Sequence, residues 1–124
     1  MANTYKNYKA KLSTSELTTV YTVPAQTTAI IKSIRVSNED TENDCNISLF
    51  LVDTSSVSYS LEIDRKMQAK RSQELLATGN MTQDTADSSI SAPAPLVAME
   101  SEIVKAQAEN GNDLSIIINV LEIS

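Results

Sequence analysis

The sequence predicts an all-β fold: a single-domain, antiparallel β-sandwich of jelly-roll type. Three observations carry that expectation. In the last dozen residues, Leu114, Ile116, Ile118 and Val120 alternate with Ser115, Ile117, Asn119 and Leu121, the period of two that a strand produces. The step that feeds this run, Glu109-Asn110-Gly111-Asn112, holds the chain's one Asn-Gly pair, a strong hairpin signal. Seven to nine short runs recur along the chain at roughly regular spacing with turn residues between them, which is the pattern of a sandwich or jelly roll.

The elements follow in order. Residues 4–12 alternate Tyr5, Asn7, Lys9 and Lys11 with Lys6, Tyr8, Ala10 and Leu12. Neither face is strongly apolar, so residues 1–12 read as a strand or an extended arm, and residues 13–124 as the sandwich proper. Ser13 and Glu16 have the spacing of a capping box, but residues 17–23 are β-branched and aromatic and favour a strand. Pro24 ends it. Residues 29–37 form a further strand, with Ile30, Ile34 and Val36 on one face. A polar hairpin loop, 38–44, returns the chain into 45–52, whose core face is Ile47, Leu49 and Leu51. After a turn at 53–56, Tyr59, Leu61 and Ile63 alternate with Ser58, Ser60 and Glu62.

Residues 66–76 are rich in helix formers, and a short helix and a bulged strand both fit them. Residues 78–94 carry little apolar content and read as a long loop. Two short strands, at 95–99 and 102–108, precede the terminal one.

At 124 residues the chain is one domain, long enough to bury a core without staples. Aromatic residues make up only 4%, so that core must be aliphatic. The two glycines leave the turns to Asn, Asp, Ser and Pro. A formal net charge of −6 opposes docking onto nucleic acid. The pairs Arg65-Lys66 and Lys70-Arg71 read as a solvated edge. Cys45, the one cysteine, excludes a disulfide within the chain and reads as a small buried hydrophobe. The polar opening, Met1-Ala2-Asn3-Thr4-Tyr5-Lys6, predicts neither signal peptide nor membrane span, hence folding in a cytoplasm. The sequons at Asn46 and Asn80 are then chance matches in a Ser/Thr-rich chain.

The absence of histidine removes the Ser-His and Cys-His nucleophile arrangements and the commonest zinc ligand. Two glycines cannot build a phosphate-binding loop. The loop containing Glu39, Asp40, Glu42 and Asp44 is the one candidate calcium site, but it lacks the order of an EF-hand and reads as a solvated hairpin tip. Nothing places two carboxylates in an apolar cleft, and aromatic platforms for sugar are missing. The expectation is a non-enzymatic protein without cofactor or metal.

Five apolar residues fall opposite the obvious core faces: Ile31, Phe50, Val52, Ile117 and Leu121. Each sheet of a sandwich buries one face, so these need a second cover, supplied by a loop or helix or by another subunit.

Three segments also carry a resemblance. Residues 17–38 contain Val20-Tyr21-Thr22-Val23-Pro24-Ala25 and Ile34-Arg35-Val36-Ser37-Asn38; residues 95–99 are Pro-Leu-Val-Ala-Met; residues 104–123 join Val104-Lys105-Ala106-Gln107-Ala108 to Asn112-Asp113-Leu114-Ser115 and Val120-Leu121-Glu122-Ile123. This pattern resembles small virion proteins of tailed bacteriophages of the cyanophage and marine type, over the first third and last quarter of the chain. The resemblance implies a structural part of the particle, assembled in the host cytoplasm. Within that group the expectation is a capsid decoration (cement) protein, a homo-oligomer, as a rule a trimer, bound to the major capsid protein or other virion proteins, with no nucleic-acid or membrane partner. Ile31, Phe50, Val52, Ile117 and Leu121 would then meet sister subunits, and Tyr5 and Tyr8, with the neighbouring lysines, would reach onto the capsid. The alternatives are a neck, tail or fibre component of the same fold, or a soluble ligand-binding sandwich.

Overall fold

The computed structural model describes residues 3–12, 14–76, 95–109 and 114–124. Among these residues nine strands run in chain order: β1 Asn3–Leu12, β2 Thr18–Thr22, β3 Thr28–Asn38, β4 Cys45–Val52, β5 Ser58–Met67, β6 Ser72–Glu74, β7 Leu96–Ala98, β8 Ile103–Ala108 and β9 Leu114–Ile123. They form two antiparallel sheets. One is ordered β1-β9-β3-β6, with β7 also paired to β3; the other is ordered β2-β8-β4-β5. With β7 set aside, the eight remaining strands alternate between the sheets except at the β4–β5 hairpin, which lies within one sheet, as in a jelly roll. The Asn110-Gly111 turn and the loop expected at 78–94 fall outside the described residues.

Between the sheets lies an aliphatic core: Leu12 from β1, Ile34 and Val36 from β3, Ile47 and Leu49 from β4, Val104 from β8, and Leu114, Ile116 and Ile118 from β9, all shut off from solvent. Each fully buried side chain of this kind contributes roughly 1.5–3 kcal/mol of transfer free energy. The terminal strand keeps strict alternation, its even-numbered residues buried from Leu114 to Glu122.

One expectation fails where a strand bulges, and one open alternative is decided. The pairing of β3 with β9 shifts register between Ile31 and Ser33. The extra residue, Lys32, moves the strand out of phase, so Ile31 and Ile34 both point into the core and Ile30 turns outward. The second concerns residues 66–76, which form no helix. β5 continues to Met67, a turn follows with Lys70 at φ 62°, and β6 pairs with β3. Asn38 enforces this path. Its backbone N–H donates to Arg71 O and its C=O accepts from Lys70 N–H. Its buried side-chain amide donates to Asn43 O and Met67 O, both at 2.9 Å. Those bonds stabilise an extended path that helix propensity alone does not favour.

Candidate functional site

β1 lies along β9 over its whole length, and the register continues from β9 to β3, so residues on the outer face of the five-stranded sheet line up in rows. One row is apolar from end to end: Tyr5 on β1, Leu121 on β9, Ile30 on β3 and Val97 on β7. Its ends are the most open, Tyr5 at 73% and Val97 at 53% exposure. The next row is polar, Asn7, Asn119 and Ser33, with the Asn119 amide donating to Ser33 Oγ at 2.7 Å. A third places Lys9, Ile117 and Arg35 side by side, Ile117 being 37% exposed. The bulged Lys32 stands beside the polar row. Tyr5, Asn7, Lys32 and Asn119 line an open groove there, and a second groove runs past Lys9, Lys11 and Ile117.

This face is unlike the rest of an acidic chain. Lys9 and Lys32 have no ion-pair partner among the described residues, while Lys11 pairs with Glu39 at 2.6 Å. Arg35 donates to Ser72 Oγ.

Of the seven residues expected at an interface, Tyr5, Ile117 and Leu121 meet on this face. Phe50 is half-buried on the outer side of the other sheet, opposite Lys105 and Ser60. Three expectations are overturned. Ile31 has no exposed surface, because the bulge at Lys32 turns it inward. Val52 is 8% exposed, flanked on both sides by Ser58 and Ile103. Tyr8 faces inward: its ring lies 4.5 Å from that of Tyr21, and its hydroxyl is bound to Glu122. Sequence reasoning missed Ile30, Val97 and Lys32. Alternation would have found Ile30 only if the bulge had been visible.

Behind the face sits a polar clasp. Glu122 of β9 is buried, and its Oε2 accepts hydrogen bonds from Tyr8 Oη at 2.9 Å and from Tyr21 Oη at 2.7 Å, while Lys6 Nζ lies 3.4 Å from Oε1. Tyr21 belongs to the opposite sheet, so one carboxylate ties β1, β2 and β9 together. Burial pushes the Glu122 carboxyl up, but the two hydroxyls and Lys6 outweigh it and hold it below the usual carboxylate range. Both tyrosines are raised, first by burial and then by the bond to Glu122. A carboxylate held by two hydroxyls this way is a structural tie.

Three carboxylates of the 39–44 loop, those of Glu39, Asp40 and Asp44, are engaged separately. Asp40 accepts from the backbone N–H groups of Glu42 and Asn43, which hold it below the usual range. Asp44 is lowered by the Ala69 N–H and by Lys66. Glu39 faces Lys11. No group of three or more acidic, Cys or His residues converges for a metal among the described residues.

No family model matches this sequence, and no curated protein matches it. Among solved structures, the chain matches a structure of infectious bursal disease virus, Gt strain, with 7% identity and a TM-score of 0.43 over 98% of its own length. The chain spans 32% of that protein. A likeness at this level bears on neither fold nor function.

Proposed function

We propose that this chain is a non-enzymatic structural protein of a tailed-bacteriophage virion, and within the particle a capsid decoration protein acting as a homo-oligomer, most simply a trimer. The observation that carries the reading is the strand order β1-β9-β3-β6 over β2-β8-β4-β5. That is the double-sheet jelly roll, an architecture that viral shells use. The resemblance of residues 17–38, 95–99 and 104–123 to small phage virion proteins supports the same role. So does an outer face whose apolar row and lysines offer a surface to another protein. Cement works by burying further surface at many equivalent joints, so modest affinity per copy is multiplied by repetition.

The test is copy number, measured by quantitative mass spectrometry of gradient-purified virions and scaled to the major capsid protein. Abundance comparable with that protein is expected. A small fraction of it moves the chain to the neck, tail or fibres, and absence from the particle overturns the reading.

A further inference from the structure

Tyr8 and Tyr21 meet in a way that tying the strands together does not require. Tyr8 comes from β1 and Tyr21 from β2, in opposite sheets. Their ring centroids are 4.5 Å apart, with the planes inclined by 35°. Both hydroxyls end on one atom, Glu122 Oε2. The rings therefore lie side by side with their hydroxyl ends together, and the ring carbons beside the two oxygens come within reach of one another. Tyr8 is partly open to solvent, whereas Tyr21 is buried. Tyr5 and Tyr59 are exposed and have no ring partner among the described residues.

Glu122 adds the chemistry that this pair of rings needs. Both phenols are held above their usual range and keep their protons at neutral pH. A phenol gives up an electron readily only when its proton has somewhere to go. The Glu122 carboxylate already accepts a hydrogen bond from each hydroxyl, so it is placed to receive that proton from either ring. Its other oxygen, Oε1, lies 3.4 Å from Lys6 Nζ, on a side chain half in water, and this opens a way out to solvent.

We propose that Tyr8 and Tyr21 are the site of an oxidative cross-link, a dityrosine bond between the two sheets, formed when a diffusible one-electron oxidant such as a peroxide-derived radical takes an electron from each ring. Each phenol gives one electron to the oxidant and one proton to Glu122, which releases it to water before taking the next. The two phenoxyl radicals couple through the ring carbons beside their oxygens, forming one C–C bond. The hydrogen on each joined carbon then moves to the neighbouring oxygen and restores two phenols. Two electrons and two protons leave in all, and two equivalents of oxidant are reduced. The one cysteine of the chain allows no internal disulfide, so this bond is the covalent staple open to it, and it restricts the unfolded chain as a disulfide does. The inference goes beyond the proposed function and does not rest on it.

The test exposes the intact chain to a ruthenium(III) tris-bipyridine complex generated by light with persulfate, and follows the monomer by mass spectrometry before and after digestion. The wild-type monomer is expected to become two hydrogen atoms lighter, to gain dityrosine fluorescence and to yield a peptide pair joined at Tyr8 and Tyr21. Tyr8→Phe and Tyr21→Phe should each abolish that product. Glu122→Gln keeps an acceptor oxygen but cannot take a proton, so with native circular dichroism it should form the bond at least about tenfold more slowly. The wild-type reaction should also slow in heavy water, a readout that a purely structural role for Glu122 does not move. The inference is overturned if Tyr8 and Tyr21 of the wild-type protein stay unlinked while Tyr5 or Tyr59 joins one chain to another. It is equally overturned if folded Glu122→Gln links as fast as the wild type, or if heavy water leaves the wild-type rate unchanged.

Discussion

Replacing Glu122 by Gln keeps the shape of the clasp and removes its charge. In the wild-type protein one buried oxygen accepts two tyrosine hydroxyls, at 2.9 and 2.7 Å. Hydrogen bonds to a charged group contribute about 1.5–3 kcal/mol, against about 0.5–1.5 for neutral pairs, so neutralising the acceptor loses up to about 1 kcal/mol at each hydroxyl. Lys6 adds little, since its side chain is half in water and the pair is screened. The expected loss is therefore about 1–2 kcal/mol, or a fall in Tm of about 4–8 °C for a domain of this size. Urea titrations with unchanged m-values would measure it. The dependence on pH supplies a second reading. A carboxyl whose folded pKa is depressed contributes stability that is present above its ordinary, unfolded value and lost as pH falls through the folded one. The wild-type protein should therefore lose stability on acidification, and Glu122→Gln should lose less over the same interval. Equal stability of the two proteins at neutral pH, with parallel acid limbs, would refute the reasoning.

The tyrosines act at the other end of the scale. Their folded pKa values are raised above the usual 10.0, so their contribution is complete below pH 10 and lost as pH climbs beyond it; thermal melts between about pH 8 and 11 should show the fall, and Tyr21→Phe should flatten it. The phase shift in β3 separates neighbours: Ile31→Ala should cost about 2–5 kcal/mol by opening a cavity, while Ile30→Ala, on the outer face, should stay under about 1 kcal/mol. Chemical denaturation distinguishes them, and similar losses would mean that no bulge is present. Calcium at millimolar concentration should leave Tm unchanged, because Glu39, Asp40 and Asp44 each serve a separate partner; a rise that grows with calcium would restore the ligand-binding alternative.

Regular alternation made most of this fold legible. β4 and β9 could be read because Ile47 and Leu49, and Leu114 through Val120, repeat at a strict spacing of two that only a strand produces. β3 was legible as a strand but not in its phase. One extra residue, Lys32, inverts the faces on either side of it, and no local feature of Ile30-Ile31-Lys32-Ser33 announces a bulge. β5 bulges too, shifting register on either side of Leu49, so that Glu62 and Arg65, which plain alternation puts on opposite faces, form an ion pair. The extended path beyond Met67 depends on Asn38, nearly thirty positions earlier in the chain. Bonds of that reach are tertiary and override propensity. The candidate face shared this fate. Tyr5, Ile117 and Leu121 were visible as outward apolar residues, but their alignment with Ile30 and Val97 is a matter of register between strands that the sequence keeps far apart.

The pairing of β1 with β9 has a consequence for how the protein is made. Strand β1 leaves the ribosome well before β9, the strand it hydrogen-bonds to, with the other strands synthesised between them. β3 waits for the same partner. The five-stranded sheet therefore cannot be assembled progressively. Nearly the whole chain must be present before its central strand arrives to join the two sides. Through that interval β1 is an unpaired strand, and Lys6, Lys9 and Lys11 along it are the residue type that discourages pairing with strangers. Lys9, which gives the finished face part of its charge, also guards the strand while it waits.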